Sequence, residues 1–388
     1  MMRRLTSFVR GTAGVPLLFL VACSGSGGPT ATLPPGPTAG YLTLALGLHH
    51  SCGIRSGEGT FCRGRNESGQ LGDGTSRNSS RGVPVAGAPD FVSLSLGSNH
   101  SCGLTAAGAA LCWGANARGA LGTGNSQSRS TPVSVSGGLA FRALSAGAGS
   151  TCGLDGSNRA WCWGANSNGQ LGDGTREDHS QPDLVTTDQE FTAIELGETH
   201  ACGLDRGGEA WCWGGNSHGG LGDGTTEDRT LPVRVEGGHG FVALALGSAH
   251  SCGLTADGTA WCWGENALGQ LGDGTQADRS IPVRVVSTVP FVQLDAGAAH
   301  TCALAGDGRA YCWGWNEHGG QVGNGTVVNR PLPTPVATTE RFVRIALGRV
   351  AGCGIRGDGQ AWCWGNNEFG ELGGGGPVHL VPLPLDGP

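Results

Sequence analysis

Fourteen of the fifteen cysteines form seven pairs, each pair ten residues apart, and the pairs recur every fifty residues. The first members are Cys52, Cys102, Cys152, Cys202, Cys252, Cys302 and Cys353, and their partners are Cys62, Cys112, Cys162, Cys212, Cys262, Cys312 and Cys363. A single added residue precedes the last pair, and only Cys23 stands outside the series. Without a period, 74 glycines in 388 residues would suggest a low-complexity chain. With a strict long period they become the punctuation of a repeat.

Within one unit, FVALALG (241–247), SCGLT (251–255), AWCWG (260–264) and PVRV (282–285) are short strand-like runs separated by turn residues, and no segment sustains a helical period. Four short strands in about fifty residues make one propeller blade, and seven such units close a ring. If Ala256-Asp257-Gly258 is a three-residue hairpin loop with Gly258 in the left-handed position, Thr255 faces Thr259 and Cys252 falls opposite Cys262. The cysteines then form a non-hydrogen-bonded pair with Cα atoms about 4.5 Å apart, within disulfide reach. The same register sets Trp261 across from Gly253 and Trp263 across from Ser251 on the opposite sheet face, so both faces are expected to be buried between neighbouring blades. Neither the C-x-x-C groupings of zinc sites nor the spacing of a redox pair occurs. Seven intrablade disulfides are therefore expected, with free buried thiols as the alternative.

The unit HSCGLTADGTAWCWGENALGQLGDGT, with FVALALG before it and RSIPVRV after it, closely resembles the repeat of the regulator of chromosome condensation family. The resemblance recurs seven times over nearly all of residues 41–388. It implies an all-β, seven-bladed propeller, usually closed by strands from both chain ends sharing a blade. PVHLVPL (377–383) would supply the last strand. The units are expected at about 41–90, 91–140, 141–190, 191–240, 241–290, 291–341 and 342–388.

The first 22 residues place Arg3, Arg4 and Arg10 before a short apolar core, Val15 to Ala22, as in an export signal. Leu20-Val21-Ala22-Cys23 resembles the lipobox of bacterial lipoproteins, which implies cleavage before Cys23 and acylation of its thiol. Residues 24–40 are rich in Gly, Pro, Ser and Thr and read as a tether, long enough at roughly 3.3 Å per residue to reach ~55 Å. The membrane is then met through the lipid alone, and Ser24 is compatible with outer-membrane sorting where a second membrane exists. The chain contains no lysine and has a formal charge of −7; losing three arginines with the signal leaves about −10. That balance argues against nucleic-acid phosphates as partners.

His50, His100, His200, His250 and His300 stand two residues before a cysteine and are read as buried structural histidines rather than metal ligands, because they lie in separate blades. Asp73, Asp173, Asp223 and Asp273 in the GQLGDGT segments are read as turn formers, since the calcium-loop pattern is absent. Arg129, Arg229, Arg279 and Arg330 are read as structural. No acid pair, nucleophile with base or phosphate loop stands out, so neither a catalytic residue nor a cofactor is expected.

The informative positions are those where units differ. After each Trp-Gly or its equivalent the loop reads RNES, ANAR, ANSN, GNSH, ENAL, WNEH and NNEF, with a constant Asn that braces the turn. Units five to seven add Glu265, Leu268, Trp315, Glu317, His318, Glu368 and Phe369, an apolar and acidic set that would form one partner-binding patch if adjacent loops converge. The expected function is a monomeric, non-enzymatic, envelope-anchored scaffold for a protein or glycan. Inhibition of an exported enzyme, as by a secreted β-lactamase inhibitor of similar fold, is the alternative. Guanine-nucleotide exchange is implied by the family resemblance, but the near-uniform unit length leaves no sizeable insertion to serve as the exchange wedge. A hydrolase or lyase on this scaffold is the remaining enzyme reading.

Overall fold

The computed structural model describes residues 36–385. The expected export signal, Cys23 and the expected tether up to residue 35 lie outside the described residues. The seven units are seven four-stranded antiparallel sheets, each built from four consecutive strands, and among the described residues the one helical element is a short 3-10 turn at Ser136–Gly138. Blade 5 is typical: Phe241–Leu246, His250–Thr255, Ala260–Gly264 and Arg279–Arg284. The first strand of every blade lines the central axis, and the fourth lies at the rim. Second-to-third-strand hairpins and blade-to-blade connections share one end of the ring, here the hairpin face. The first-to-second-strand turns and the long third-to-fourth-strand connections share the other, here the loop face.

The expected hairpin register is present. Cys252 lies opposite Cys262, Trp261 opposite Gly253 and Trp263 opposite Ser251, while Thr255 bonds the Thr259 carbonyl at 3.0 Å and Gly258 takes φ +83°. All seven disulfides form, each with a Cα separation of 4.1 Å.

Blades pack by presenting the cysteine face of one to the tryptophan face of the next. The Cys252–Cys262 bridge, Leu254 and Leu271 meet Phe291, Leu294 and Trp313 of blade 6. Each Phe opening a first strand packs on the inner Trp, as Phe241 stacks on Trp263 at 5.8 Å across Gly253, where a Cβ would strike the Phe241 ring at 2.5 Å. The inner indole N–H donates to the preceding blade, Trp263 to the Gly220 carbonyl at 2.9 Å, and the glycine of each Leu-Gly pair must stay bare beside that indole. Gly222, at φ +69°, would bring a Cβ to 2.7 Å from Trp263 Nε1. Burial of the two tryptophans is unequal: Trp263 is fully enclosed, whereas Trp261, two residues nearer the hairpin, is half-buried and stacks on His239 at 4.0 Å.

Ring closure also differs from the family's usual shared blade. The last strand, Val378–Pro384, pairs with Ala361–Asn366 in its own blade, and the first strand, Tyr41–Leu46, pairs with its own neighbour. Fifty residues supply all four strands of each unit, so no blade borrows one. Blades 1 and 7 are joined by packing, with Tyr41, Leu44 and Leu46 against Ile355, Leu372 and Leu385. At this junction alone Arg63 replaces the inner Trp and Glu371 replaces a residue that is uncharged in the other blades, and both are buried. Arg63 donates to the Tyr41 hydroxyl at 3.1 Å, and the Ser51 hydroxyl donates to the Glu371 main-chain carbonyl at 2.6 Å.

Candidate functional site

The histidines form a tier of inter-blade bonds. The ring Nε2 meets a hydroxyl of the next blade in His50–Ser101 (2.9 Å), His100–Thr151 (2.9 Å), His200–Ser251 (2.8 Å) and His250–Thr301 (3.0 Å). Each hydroxyl spends its own proton on a carbonyl, as Ser251 does on Gly220, so it accepts from the imidazole and fixes the Nε2–H tautomer. Burial drives all five well below the ordinary value of 6.5, to about 3 for His50, His250 and His300 and about 4 for His100 and His200. His300 lacks the partner, since blade 7 has Gly352 where the blades facing the other four histidines have Ser or Thr, and both its ring nitrogens are buried without a hydrogen bond.

The turn aspartates behave as Asx braces. Asp273 Oδ1 accepts from the Thr275 amide and hydroxyl and from Asn266, and Arg279 closes on Oδ2 at 3.2 Å. The repeated Asn bonds both sides of the loop it spans: Asn266 Oδ1 takes the Leu271 amide while Nδ2 reaches the Thr275 carbonyl.

All seven residues of the sequence-derived patch lie on the loop face, in three adjacent blades. Glu317, His318 and Glu368 are exposed; Glu265, Leu268, Trp315 and Phe369 are half-buried. The structure gathers them into local groups. Trp315 packs on His318 of its own loop at 5.7 Å, and Glu317 accepts from Asn329 at 2.8 Å. Phe369 leans over the closing junction, 5.0 Å from His49 and under Arg65 at 5.5 Å.

A feature of the rim sharpens the contrast between the two halves of this face. In blades 2 to 4 a loop arginine or histidine reaches across to an Asp of the next blade: Arg118–Asp178 at 2.7 Å, Arg176–Asp228 at 3.1 Å and His218–Asp278 at 2.8 Å. Leu268 holds in blade 5 the position that Arg118 and His218 hold in theirs, and Asn329 stands where the receiving Asp would be. The electrostatic stitching thus gives way to apolar side chains where Leu268, Trp315 and Phe369 lie.

Loop comparison alone misses a second locus, the axial channel, a cavity of about 350 Å³ lined by the seven first strands. Its fifth-residue ring is Ala45, Ser95, Ser145, Glu195, Ala245, Asp295 and Ala346, so two acids interrupt small residues; that departure is visible in the repeat once strands as well as loops are aligned. Both carboxylates touch channel solvent yet lie deep within the protein. Burial, reinforced by the Asp295 charge, pushes Glu195 up to about 8, against a hydrogen bond from Ser145 at 3.2 Å. Burial pushes Asp295 up to about 6 against amide bonds from Leu347 and Ala296. At the loop-face mouth Glu198 of blade 4 pairs with Arg349 of blade 7 at 2.5 Å, as far across a seven-membered ring as two blades can be.

Among solved structures, the fold is similar to Prp20p of Saccharomyces cerevisiae, described with its binding to Gsp1p and histones (TM-score 0.75, 23% identity, 89% of this chain and 87% of that one). It is also similar to human WBSCR16 (0.74, 18%, 83% and 92%). The CRINKLY WD40 ectodomain of the Arabidopsis thaliana receptor kinase ACR4 is a more distant match (0.55, 20%, 83% and 96%). Identities this low carry the fold only. The RCC1-like domain model matches residues 60–386. With seven repeats, the matching propeller and a family model spanning most of its length, the chain belongs to the RCC1-like domain family.

Proposed function

We propose that this RCC1-like propeller is an exported, lipid-anchored, non-enzymatic scaffold that binds a protein or glycan through the loop face of blades 5 to 7. Seven disulfides in one domain suit an oxidising compartment outside the cytosol. The observation that carries the reading is polarity of the ring. Gly40 and Tyr41 enter at the hairpin face, where Tyr41 bonds Gly359 at 2.9 Å, and the loops carrying Leu268, Trp315 and Phe369 lie on the opposite face. A chain tethered through Cys23 would therefore turn those loops away from the membrane. Rigid scaffolds that display variable loops bind in this manner.

The test is recovery of partners from envelope extracts on immobilised mature protein, compared with a Trp315→Ala, Phe369→Ala double variant. Loss of specific partners supports the reading, and unchanged recovery overturns the assignment to this patch. Replacing Cys23 with Ala should release the protein from the membrane fraction; continued retention would refute the anchor.

A further inference from the structure

Blade 3 departs from the repeat at one place on its rim strand, His179–Leu184. The position of His179 is Arg in blades 2, 4, 5 and 6, where Arg229 and Arg279 close on the turn aspartates Asp223 and Asp273. The position of Asp183 is Val in blades 1, 2, 4 and 5, Thr334 in blade 6 and Leu383 in blade 7. Blade 3 alone therefore combines an imidazole, the turn carboxylate Asp173 and an added carboxylate. His179 Nε2 lies 3.2 Å from Asp173 Oδ2, and Nδ1 lies 3.1 Å from Asp183 Oδ2. One ligand atom from each of the three residues falls within 4.8 Å of the others.

Both carboxylates are aimed by their other oxygen. Asp173 Oδ1 accepts from the Thr175 amide at 2.8 Å and from Asn166 Nδ2 at 3.3 Å, and Asp183 Oδ1 accepts from the Leu184 amide at 2.9 Å. Each Oδ2 is thereby turned to the imidazole, although Asp173 Oδ2 also takes the Thr175 hydroxyl at 2.9 Å. Main-chain bonds that orient ligating carboxylates are the outer support on which metal affinity depends. The blade's nearby cations are engaged elsewhere, Arg159 on Asp155 and Arg176 on Asp228.

We infer that Asp173, His179 and Asp183 form a binding site for one divalent transition ion of the zinc class. His179 Nε2 and Asp173 Oδ2 supply two ligands side by side, exposed Asp183 turns its Oδ2 from Nδ1 onto the ion as the third, and a further position is left to water or a partner's side chain. The imidazole selects against calcium and magnesium, which take oxygen ligands. In the bound form the metal takes the lone pair of one ring nitrogen, which then carries no proton. The other nitrogen keeps its N–H.

The experiment is calorimetric titration of the tag-free protein with ZnCl2, with CoCl2 for its visible absorption and CaCl2 as the comparison ion. Wild type should bind one zinc per chain and show no calcium binding. His179→Arg restores the residue found in four sister blades, and Asp183→Val restores the commonest one, so both are compatible with the fold; each should weaken zinc by about tenfold or more. Circular dichroism reports whether either variant has failed to fold. Zinc binding unaltered in a folded His179→Arg protein overturns the site. So does a wild type that takes up no zinc at 100-fold molar excess, in which case the cluster is only an imidazole held between two carboxylates.

Discussion

Lowering the pH should unfold this propeller by charging its histidine tier. His50, His100, His200, His250 and His300 sit at about 3 to 4 in the folded chain against 6.5 when free, so between those values the unfolded chain binds protons that the folded one refuses. A depressed histidine gives stability that is present above 6.5 and lost as pH falls towards the folded value. At pH 5 each costs about 2 kcal/mol, so the five together cost about 10 kcal/mol. Glu195 and Asp295 act in the opposite sense, because their raised values make the folded chain the better proton acceptor, and their relief between pH 7.5 and 5 returns about 4 kcal/mol. Stability should therefore peak near pH 7 and then fall by about 5 kcal/mol towards pH 5. The assay is urea unfolding by tryptophan fluorescence from pH 8 to 4.5, disulfides intact, for wild type and His250→Gln. The variant loses a hydrogen bond and some packing at every pH, so the slope is the readout. It should fall by about 1.3 kcal/mol per pH unit between pH 6 and 4.5. An unchanged slope, or ring 15N shifts that show His250 titrating near 6.5, would refute the reasoning.

Two further outcomes follow from the packing. Gly352→Ser should give His300 the hydroxyl its sister histidines have and raise stability by about 1 kcal/mol, read as a higher melting temperature; its Cβ meets the Trp364 ring at 3.0 Å, a contact that needs a small shift, and a lower melting temperature would show that the blade cannot make it. Reduction should expose fourteen thiols to alkylation only after denaturation, because every paired cysteine is at most 1% exposed, and each lost bridge should cost at most ~3 kcal/mol in the chain-entropy account; labelling of the native protein would contradict that burial.

The repeat made the fold legible because one register, fixed by a three-residue turn, had to satisfy seven copies at once. Cys252 facing Cys262 and Trp263 facing Ser251 followed from counting along two strands. What counting within a blade does not give is the relation between blades. The unequal burial of Trp261 and Trp263, the partner of each histidine, and the reach of Arg118 to Asp178 all depend on how one sheet lies on the next. Glu195 and Asp295 are 100 residues apart and share a channel only because seven first strands converge on one axis. Leu268, Trp315 and Phe369 were legible as departures from the repeat. Their division into separate local clusters was not, because it depends on which neighbour each side chain finds.

Because every blade is made from one uninterrupted stretch of chain, the genetic unit and the structural unit have the same boundaries. A gene copy number could change by one whole repeat without leaving half a sheet unpaired, whereas a ring latched by a blade shared between its ends would have to be reopened and resealed. The order of blades is equally free of the position of the ends. A circularly permuted gene that starts at any inter-blade connection would encode the same seven sheets, with the original ends joined across the polar junction of Arg63 and Glu371.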